Sequence, residues 1–552
     1  MMMFNKKILV ASLGIAFSSG AHAFTFENES IKGSFDSQIT FGFAKRAGSQ
    51  DCSLVGDPGT SCNPSSTPGQ WTVGDDGNQN YNKGDLFSLS LKGTHELLLQ
   101  FPDQWKFLAR GSWLKDFRAD DTRKTQLADD AKNQLTADVR LLDLWVSKEF
   151  DLNGRTARVR LGNQVISWGE SIFLAGGINS TNALDLQKLN IPGTQLKEAV
   201  LPAPMISFAT GLGSGFNIET YYQFGWNANR LAPVGSYFNA GDQFGKGWQN
   251  GQVNGAAVAT TSDYEHKPKN SGQYGVALHY KPADTQLDVG FYAMNYHDKM
   301  PNVLINNTTG ATELEYLQNR KLYGVSMNFP LGNWSIGSEL SYRPKDAIAL
   351  SPVAGTCGAG AAEVCHLSTD AQRYQLHLTA QLQLTPGDNK PILDALAADT
   401  AYFTAEAVAI KYPGVNKSNR YTIGGVTYGP SAGGLPWLDD SGGTASSNIT
   451  GVQGTSTSTG AIFDFNWTYD SKLISGWQVT PGVTYFRGLS GYTPNVYGNF
   501  MKGAGSANFY VLFNQNPPTW QAGLNFTTFF GNSTAQPLRD RAFFGGFITR
   551  NF

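Results

Sequence analysis

"YQLHLTAQLQLTP", Tyr374 to Pro386, sets Tyr374, Leu376, Leu378, Ala380, Leu382 and Leu384 in strict alternation with Gln375, His377, Thr379, Gln381 and Gln383. Successive side chains of a strand point to opposite faces, so this segment reads as a strand with one apolar side and one polar side. A protein core and a lipid bilayer both accept such an apolar face. The remainder of the chain decides between them.

The N-terminus carries Lys6 and Lys7, an apolar run from Ile8 to Phe17, and small residues closing on Ala21-His22-Ala23. Basic flank, short apolar run and A-x-A site together make a secretory signal peptide over residues 1–23, too short to span a membrane as a helix. The exported chain is expected to begin at Phe24. No other stretch approaches the ~18 apolar residues that a membrane helix requires, so a membrane-spanning form of this chain has to be a closed barrel.

Charge is nearly balanced, 42 Lys and Arg against 44 Asp and Glu, which gives no footprint for nucleic acid. The 62 glycines and 12% aromatic content, with Pro and Asn between apolar runs, are strand-and-turn chemistry. Ala119 to Arg140 is the best helical candidate, charged on most sides and expected as a solvated excursion. Cys52 with Cys62, and Cys357 with Cys365, are close pairs in an exported chain and read as two loop disulfides. A zinc site is a poor rival, since only His366 adjoins the second pair and no C-x-x-C occurs.

Alternation and turn residues mark out about eighteen strands, within a range of about 14 to 18, in a single all-β unit over residues 24–552. Long connections follow strands ending near Phe117, Trp168, Trp226, Asp298, Arg343, Pro413 and Gly488. Short ones follow strands ending near Phe101, Asp151, Leu212, Lys281, Leu331, Asp470 and Asn516, and the Pro386 to Thr400 link is intermediate. A transmembrane antiparallel barrel keeps long external loops at one end and short periplasmic turns at the other, whereas a soluble sandwich has no reason to. Trp105, Trp334, Trp477 and Trp520 each follow a short turn on the apolar face, as in an aromatic girdle at a membrane boundary. The last strand, "FFGGFITRNF", closes on the aromatic Phe552, resembling the signal that such barrels present to their assembly machinery, although Arg550 departs from the usual apolar residue there. On this reading the greasy side of Tyr374 to Leu384 meets lipid and its Gln, His and Thr meet water in the lumen.

Charges on the lipid face cost ~2–4 kcal/mol per Arg or Lys at mid-bilayer. The alternation therefore points Lys106, Arg110, Asp143, Glu149, Arg158 and Arg160 inward, with Leu142, Leu144, Val146, Val159 and Leu161 outward. This lumen cluster either steers anions and carboxylate groups or pairs internally with Glu96, Asp143 and Glu149 to hold the wall.

Arg160 to Phe208 is far too long for a hairpin and carries Ile172, Phe173, Leu174, Leu184, Leu189 and Ile191. A loop this apolar at a barrel mouth is expected to fold inward near residues 168–203 and to constrict the lumen with Trp168, Glu170, Ser171, Phe173, Asn179 and Asp185. The alternative is an external cap. Within it "GNQVISWGES" (Gly162–Ser171), "GIN" (Gly177), "LNIPG" (Leu189) and "LKEA" (Leu196), with "GSYF" (Gly235), resemble the domain-of-unknown-function 1302 family of proteobacterial outer-membrane proteins. That resemblance implies a porin-like barrel in the outer membrane, among outer-membrane lipid, working with a periplasmic protein of lipoprotein-carrier-like fold and an inner-membrane transporter of the resistance-nodulation-division type. It brings no cofactor, metal or catalytic residue.

Three functions follow. The first is a barrel that passes or loads a hydrophobic or amphipathic small molecule, with a general diffusion porin as its nearest variant. The second is a membrane-embedded esterase or phospholipase; the chain has no G-x-S-x-G, and its nearest pairing is His366, Ser368 and Asp370 in "CHLSTD". The third is an adhesin or structural barrel, for which loops such as Gly424 to Gly460 need bind nothing. "GDDGNQN" from Gly74 to Asn80 lacks the regular acids of a calcium loop.

Overall fold

The computed structural model describes residues 24–67, 76–242, 244–247, 252–253, 256–257, 265–306, 311–354, 364–423, 426–432 and 452–552. The expected leader, residues 1–23, lies outside them. Eighteen antiparallel strands close into one barrel. In chain order these are β1 (Lys32–Arg46), β2 (Leu86–Phe101), β3 (Trp105–Asp116), β4 (Ala137–Asp151), β5 (Thr156–Gln164), β6 (Ala203–Gly213), β7 (Phe216–Gln223), β8 (Gln273–Tyr280) and β9 (Asp288–Tyr296). The second half comprises β10 (Arg320–Leu331), β11 (Trp334–Ala354), β12 (Ser368–Leu384), β13 (Thr400–Lys411), β14 (Thr457–Asp470), β15 (Trp477–Ser490), β16 (Gly505–Gln515), β17 (Trp520–Phe530) and β18 (Phe543–Asn551). Each strand pairs with its sequence neighbour, and β18 pairs with β1 from Gln38↔Asn551 to Arg46↔Phe543, which removes the sheet edge.

The opening segment lies in β12, and its two faces separate as the alternation requires from Tyr374 to Leu378, whereas Leu384 at its end does not meet lipid but is 3% exposed and packs on Leu393, Ala398 and Ala401. Leu378 is 52% exposed on the outer wall while His377 beside it is 0% exposed. Outward rows on the other strands repeat this, with Phe291, Val325, Phe509, Leu524, Phe544 and Ile548 all exposed. Short turns gather at one end, where Asn153 and Gly154 both take positive φ, 56° and 76°, the conformation a two-residue hairpin needs. Trp105, Trp334, Trp477 and Trp520 are each the first residue of the strand after such a turn. Arg550 is held between aromatic rings, 5.2 Å from the Trp520 centroid and 5.0 Å from that of Phe552. This contact accommodates the cation that departs from the apolar C-terminal pattern.

Three local expectations are corrected. Leu142 does not face lipid: it is 0% exposed and packs on Ala183 and Leu201. A bulge where Ala109 and Gly111 meet Leu144 and Leu141 shifts the alternation there, so that Leu142 and Asp143 are both buried. The helix expected over Ala119 to Arg140 is confined to Asp129–Thr136, because Val139 and Leu141 already alternate outward as strand. That helix buries Ala131 and Leu135 against Ala119 and Leu127, so it is a packed part of the mouth. β11 runs past Arg343 to Ala354, bulged between Arg343 and Asp346, and its upper part also pairs with Val426–Ser431.

At the long-loop end, the Arg46 guanidinium donates to the carbonyls of Asn78 and Tyr81, both at 2.7 Å, and pairs with Asp540 at 3.1 Å. Within the 74–80 segment Asn78 thus supplies a buried backbone acceptor at the mouth; Gly74 and Asp75 lie outside the described residues. Cys52 and Cys62 form the first expected disulfide. Cys365 is also disulfide-bonded, and Cys357, its expected partner, lies outside the described residues.

Candidate functional site: the inward loop and the cleft beside it

β5 ends at Gln164, and residues 165–202 turn into the barrel before β6 begins at Ala203. The strand ends earlier than the sequence suggested because Ile166 leaves the ladder to donate its N–H to the Asn182 side chain, 3.2 Å. Ile166, Trp168 and Ile178 then pack on Met205, Tyr221, Tyr292, Met294, Tyr296 and Leu322 of the inner wall. The apolar residues that exclude this loop from water are what seat it in the lumen.

Two wall carboxylates hold its backbone. Glu339 on β11 accepts the N–H groups of Glu170 (2.6 Å), Ser171 (3.3 Å) and Ile178 (2.8 Å). Glu406 on β13 accepts those of Ile172 (3.2 Å), Phe173 (2.6 Å) and Leu174 (3.0 Å). Gly169 and Gly177 are required here, since a Cβ at either would overlap the Glu339 carboxylate. His377 lies between the acids, Nδ1 2.5 Å from Glu406 and Nε2 3.9 Å from Glu339. A carboxylate only accepts, so Nδ1 carries the hydrogen, and Nε2 receives the Gln375 amide at 2.6 Å. Gln375, His377 and Thr379, expected to meet water, are instead buried, the first two in contact with the loop's anchoring network.

Arg343 clamps the same loop, donating to the Gly177 carbonyl (2.9 Å) and to Ser180 Oγ (2.8 Å). At the far end Lys92 Nζ donates to the Gly193 carbonyl (2.8 Å) and Thr194 Oγ1 (3.1 Å) and pairs with Glu198 at 3.0 Å.

The loop residues singled out from sequence have different roles. Trp168 is buried, its indole N–H donating to Glu219 at 2.9 Å. Glu170 accepts from the Asn328 amide (2.9 Å), and burial pushes its carboxyl up from the ordinary range. Ser171 and Phe173 contribute the backbone donors above, the Phe173 ring remaining exposed. Asn179 accepts from the Asn182 side chain at 3.0 Å. Asp185 is buried with Arg230 (3.0 Å) and the Lys188 N–H (2.9 Å), and burial raises its carboxyl.

The charge cluster on β3–β5 is largely paired. Lys106 meets Glu149 at 3.1 Å, and Arg110 meets Glu96 at 2.6 Å and Asp143 at 2.7 Å. Arg160 stacks on Trp145, 4.3 Å from its centroid, and Arg158 is exposed. His366 and Asp370 turn away from each other, to Glu315 (2.8 Å) and Arg320 (2.6 Å) respectively, so "CHLSTD" does not assemble a relay among the described residues.

Opposite the anchors, residues 189–194 of the loop face β16–β18 across a cleft of about 460 Å³. Its lining combines Ile191, Pro192, Phe529 and Phe547 with Asn508, Tyr510, Asn525 and Thr527, and among the described residues no charged one lines it.

A family model matches residues 5–552, a span that takes in the inward loop and the last strand. The chain belongs to the family of proteins of unknown function DUF1302. No curated protein matches this DUF1302 chain. Among solved structures it is similar to OccAB1 of Acinetobacter baumannii, with 11% identity over 96% of this chain and 98% of that one and a TM-score of 0.44. It is also similar to Pseudomonas aeruginosa OccK2 in complex with glucuronate (8%, 95% and 97%, TM-score 0.37) and to Salmonella typhi OmpF with daunomycin (8%, 96% and 100%, TM-score 0.36). The closure of the DUF1302 barrel rests on its own hydrogen-bonded ladder.

Proposed function

We propose that this barrel sits in a bacterial outer membrane and passes a hydrophobic or amphipathic small molecule along the cleft between residues 189–194 and β16–β18. The observation that carries this reading is the cleft's lining, which among the described residues combines apolar and aromatic side chains with neutral hydrogen-bonding groups and no charged side chain. A small inorganic ion would lose hydration there with no apolar contact to offset it, whereas an amphipath would exchange water for apolar contact along its chain and keep neutral hydrogen bonds at its polar end. A general diffusion porin requires an open polar lumen. Here the inward loop fills the side of the lumen facing β6–β10 and is anchored on β11 and β13.

The test is uptake of the hydrophobic dye N-phenyl-1-naphthylamine by a porin-deficient bacterial host carrying the barrel, beside uptake of a pentose. The wild-type chain should raise dye entry and leave pentose entry unchanged, and Thr527→Trp, which fills the cleft, should cancel the gain. Equal gains for dye and pentose would make the protein a general porin, and dye entry indifferent to Thr527→Trp would move the path elsewhere.

A further inference from the structure

A second cavity, of about 210 Å³, lies at the long-loop mouth between loop residues 175–186, the segment 298–302 after β9 and the segment 495–499 after β15. One part of its wall is apolar, formed by Ala175, Leu184, Leu186, Met300 and Val496. The other part is charged, with Arg343, Arg373 and Lys299 against Asp298 and Asp346, one cation more than the acids present.

The two arginines differ in what they have left to give. Arg343 uses Nε on Tyr296 Oη (2.9 Å) and its terminal nitrogens on Ser341, Gly177 and Ser180. Arg373 is 5% exposed, spends one terminal nitrogen on Asp346 (3.3 Å) and the other on Gln375, and its Nε has no hydrogen-bond partner. Asp346 cannot turn wholly to Arg373, since it also accepts the Tyr412 hydroxyl at 2.6 Å. Arg343 and Arg373 both turn to the one carboxylate of Asp346, at 3.9 and 3.3 Å, and a lining with this surplus of cation over acid calls for an anionic partner.

We infer that this cavity is a binding site for a small amphipathic monocarboxylate, its head on Arg373 and its chain along Leu184, Leu186, Met300 and Val496. The volume corresponds to roughly seven water-sized units of about 30 Å³ each, enough for a chain of about eight carbons. The site deepens the transport reading, on which its biological use rests, by giving the cargo an acidic end and a capture point at the mouth.

The experiment follows carboxyl-labelled octanoate by NMR on the full chain in nanodiscs, with empty nanodiscs as blank and methyl octanoate, octan-1-ol and acetate as competitors. Octanoate should bind, and the three competitors should each displace it roughly tenfold less well or worse. Arg373→Met should weaken octanoate by roughly tenfold or more, and Val496→Trp, which fills the cavity from a separate loop, should abolish binding. Heat-modifiable migration of each variant reports the folded barrel. Octanoate binding that survives Arg373→Met in a folded barrel, or methyl octanoate competing as well as octanoate, would overturn the assignment. Loss of octanoate binding by the wild-type chain with dye uptake intact would refute only this site, whereas dye uptake indifferent to Thr527→Trp would refute only the cleft.

Discussion

Replacing Glu406 by Gln tests whether wall carboxylates hold the inward loop. The substitution keeps the side chain's shape and one carbonyl oxygen; with that oxygen toward the loop, the three N–H groups of Ile172, Phe173 and Leu174 keep an acceptor but lose its charge, and the His377 Nδ1–H loses its acceptor as well. Hydrogen bonds to a charged group are worth about 1.5–3 kcal/mol and neutral ones about 0.5–1.5, a difference of about 1 kcal/mol per bond. Three bonds make about 3 kcal/mol, or about two decades in the ratio of undocked to docked loop. Hydrogen exchange of the amides at 172–174, read by mass spectrometry in nanodiscs, should therefore accelerate about a hundredfold where exchange follows loop opening. Glu339→Gln should act on 170, 171 and 178 in the same way. Single-channel conductance should rise in both variants, since a released loop no longer blocks its side of the lumen. Wild-type exchange rates at 172–174 in a folded Glu406→Gln barrel would refute the claim that this carboxylate positions the loop.

Leu378→Arg should cost ~2–4 kcal/mol if it faces mid-bilayer, measured by denaturant titration of folding into vesicles, while Gln381→Arg on the lumen side should stay within about 1 kcal/mol; equal costs would undo the assignment of faces. Lys92→Met or Glu198→Leu alone should destabilise by about 3–5 kcal/mol, because each leaves a buried charge without its partner, and the double variant should recover most of that; additive losses would deny the pairing. Burial pushes the Asp298 carboxyl up to about 7, partly offset by Arg320, and pulls the Lys299 ammonium down to about 7. The folded acid holds a proton that the unfolded chain releases above 3.8, so its contribution to stability falls as pH climbs to about 7. The folded amine lacks a proton that the unfolded chain keeps up to 10.5, so its contribution rises from about 7 upward. Exchange at 297–302, corrected for intrinsic rates, should show a local stability minimum near pH 7. Asp298→Asn should flatten the acid limb and Lys299→Met the alkaline one, and a flat wild-type profile would contradict both.

The barrel was legible because the period of two in segments such as Tyr374 to Leu384 survives on strand after strand, and because loop length separates the two ends. It failed locally where the period itself breaks. At Leu142 one extra residue in the bulge turns an apparent lipid contact into a buried one, and no residue type announces that insertion. The loop's inward path followed from its apolar content, but its anchors did not. Glu339 and Glu406 lie 169 and 233 residues from the amides of Glu170 and Phe173 that they receive, and in sequence they are only single acids among small and apolar neighbours. The lone acid at a lumen-facing position was the available signal, since a charge placed there has either water or a partner. Alternation in the sequence assigns Lys106 and Arg110 to the lumen side, yet whether those charges were spent or free required their distances to Glu96, Asp143 and Glu149.

Those distances also bear on the proposed passage. On β3, Lys106 and Arg110 are close to acids of β2 and β4, so that wall offers a passing anion less attraction than these two cations alone suggest. The β16–β18 side of the cleft carries no charge, so its discrimination falls to width and apolar contact, set where residues 189–194 approach Phe547. Gly193 adopts a φ of +72°, and a Cβ there would press on Phe547 and Thr40, so the backbone itself forms this edge of the cleft. Its position is fixed by Lys92 Nζ on the Gly193 carbonyl, and Lys92 in turn is fixed by Glu198. The buried pair therefore does more than stabilise the loop: it sets the gap through which cargo would pass. Glu198→Gln, which keeps the packing but leaves the buried Lys92 charge without its acid, should widen the range of dye sizes admitted by the barrel that still folds, and an unchanged size cut-off in the folded variant would separate the pair from the passage.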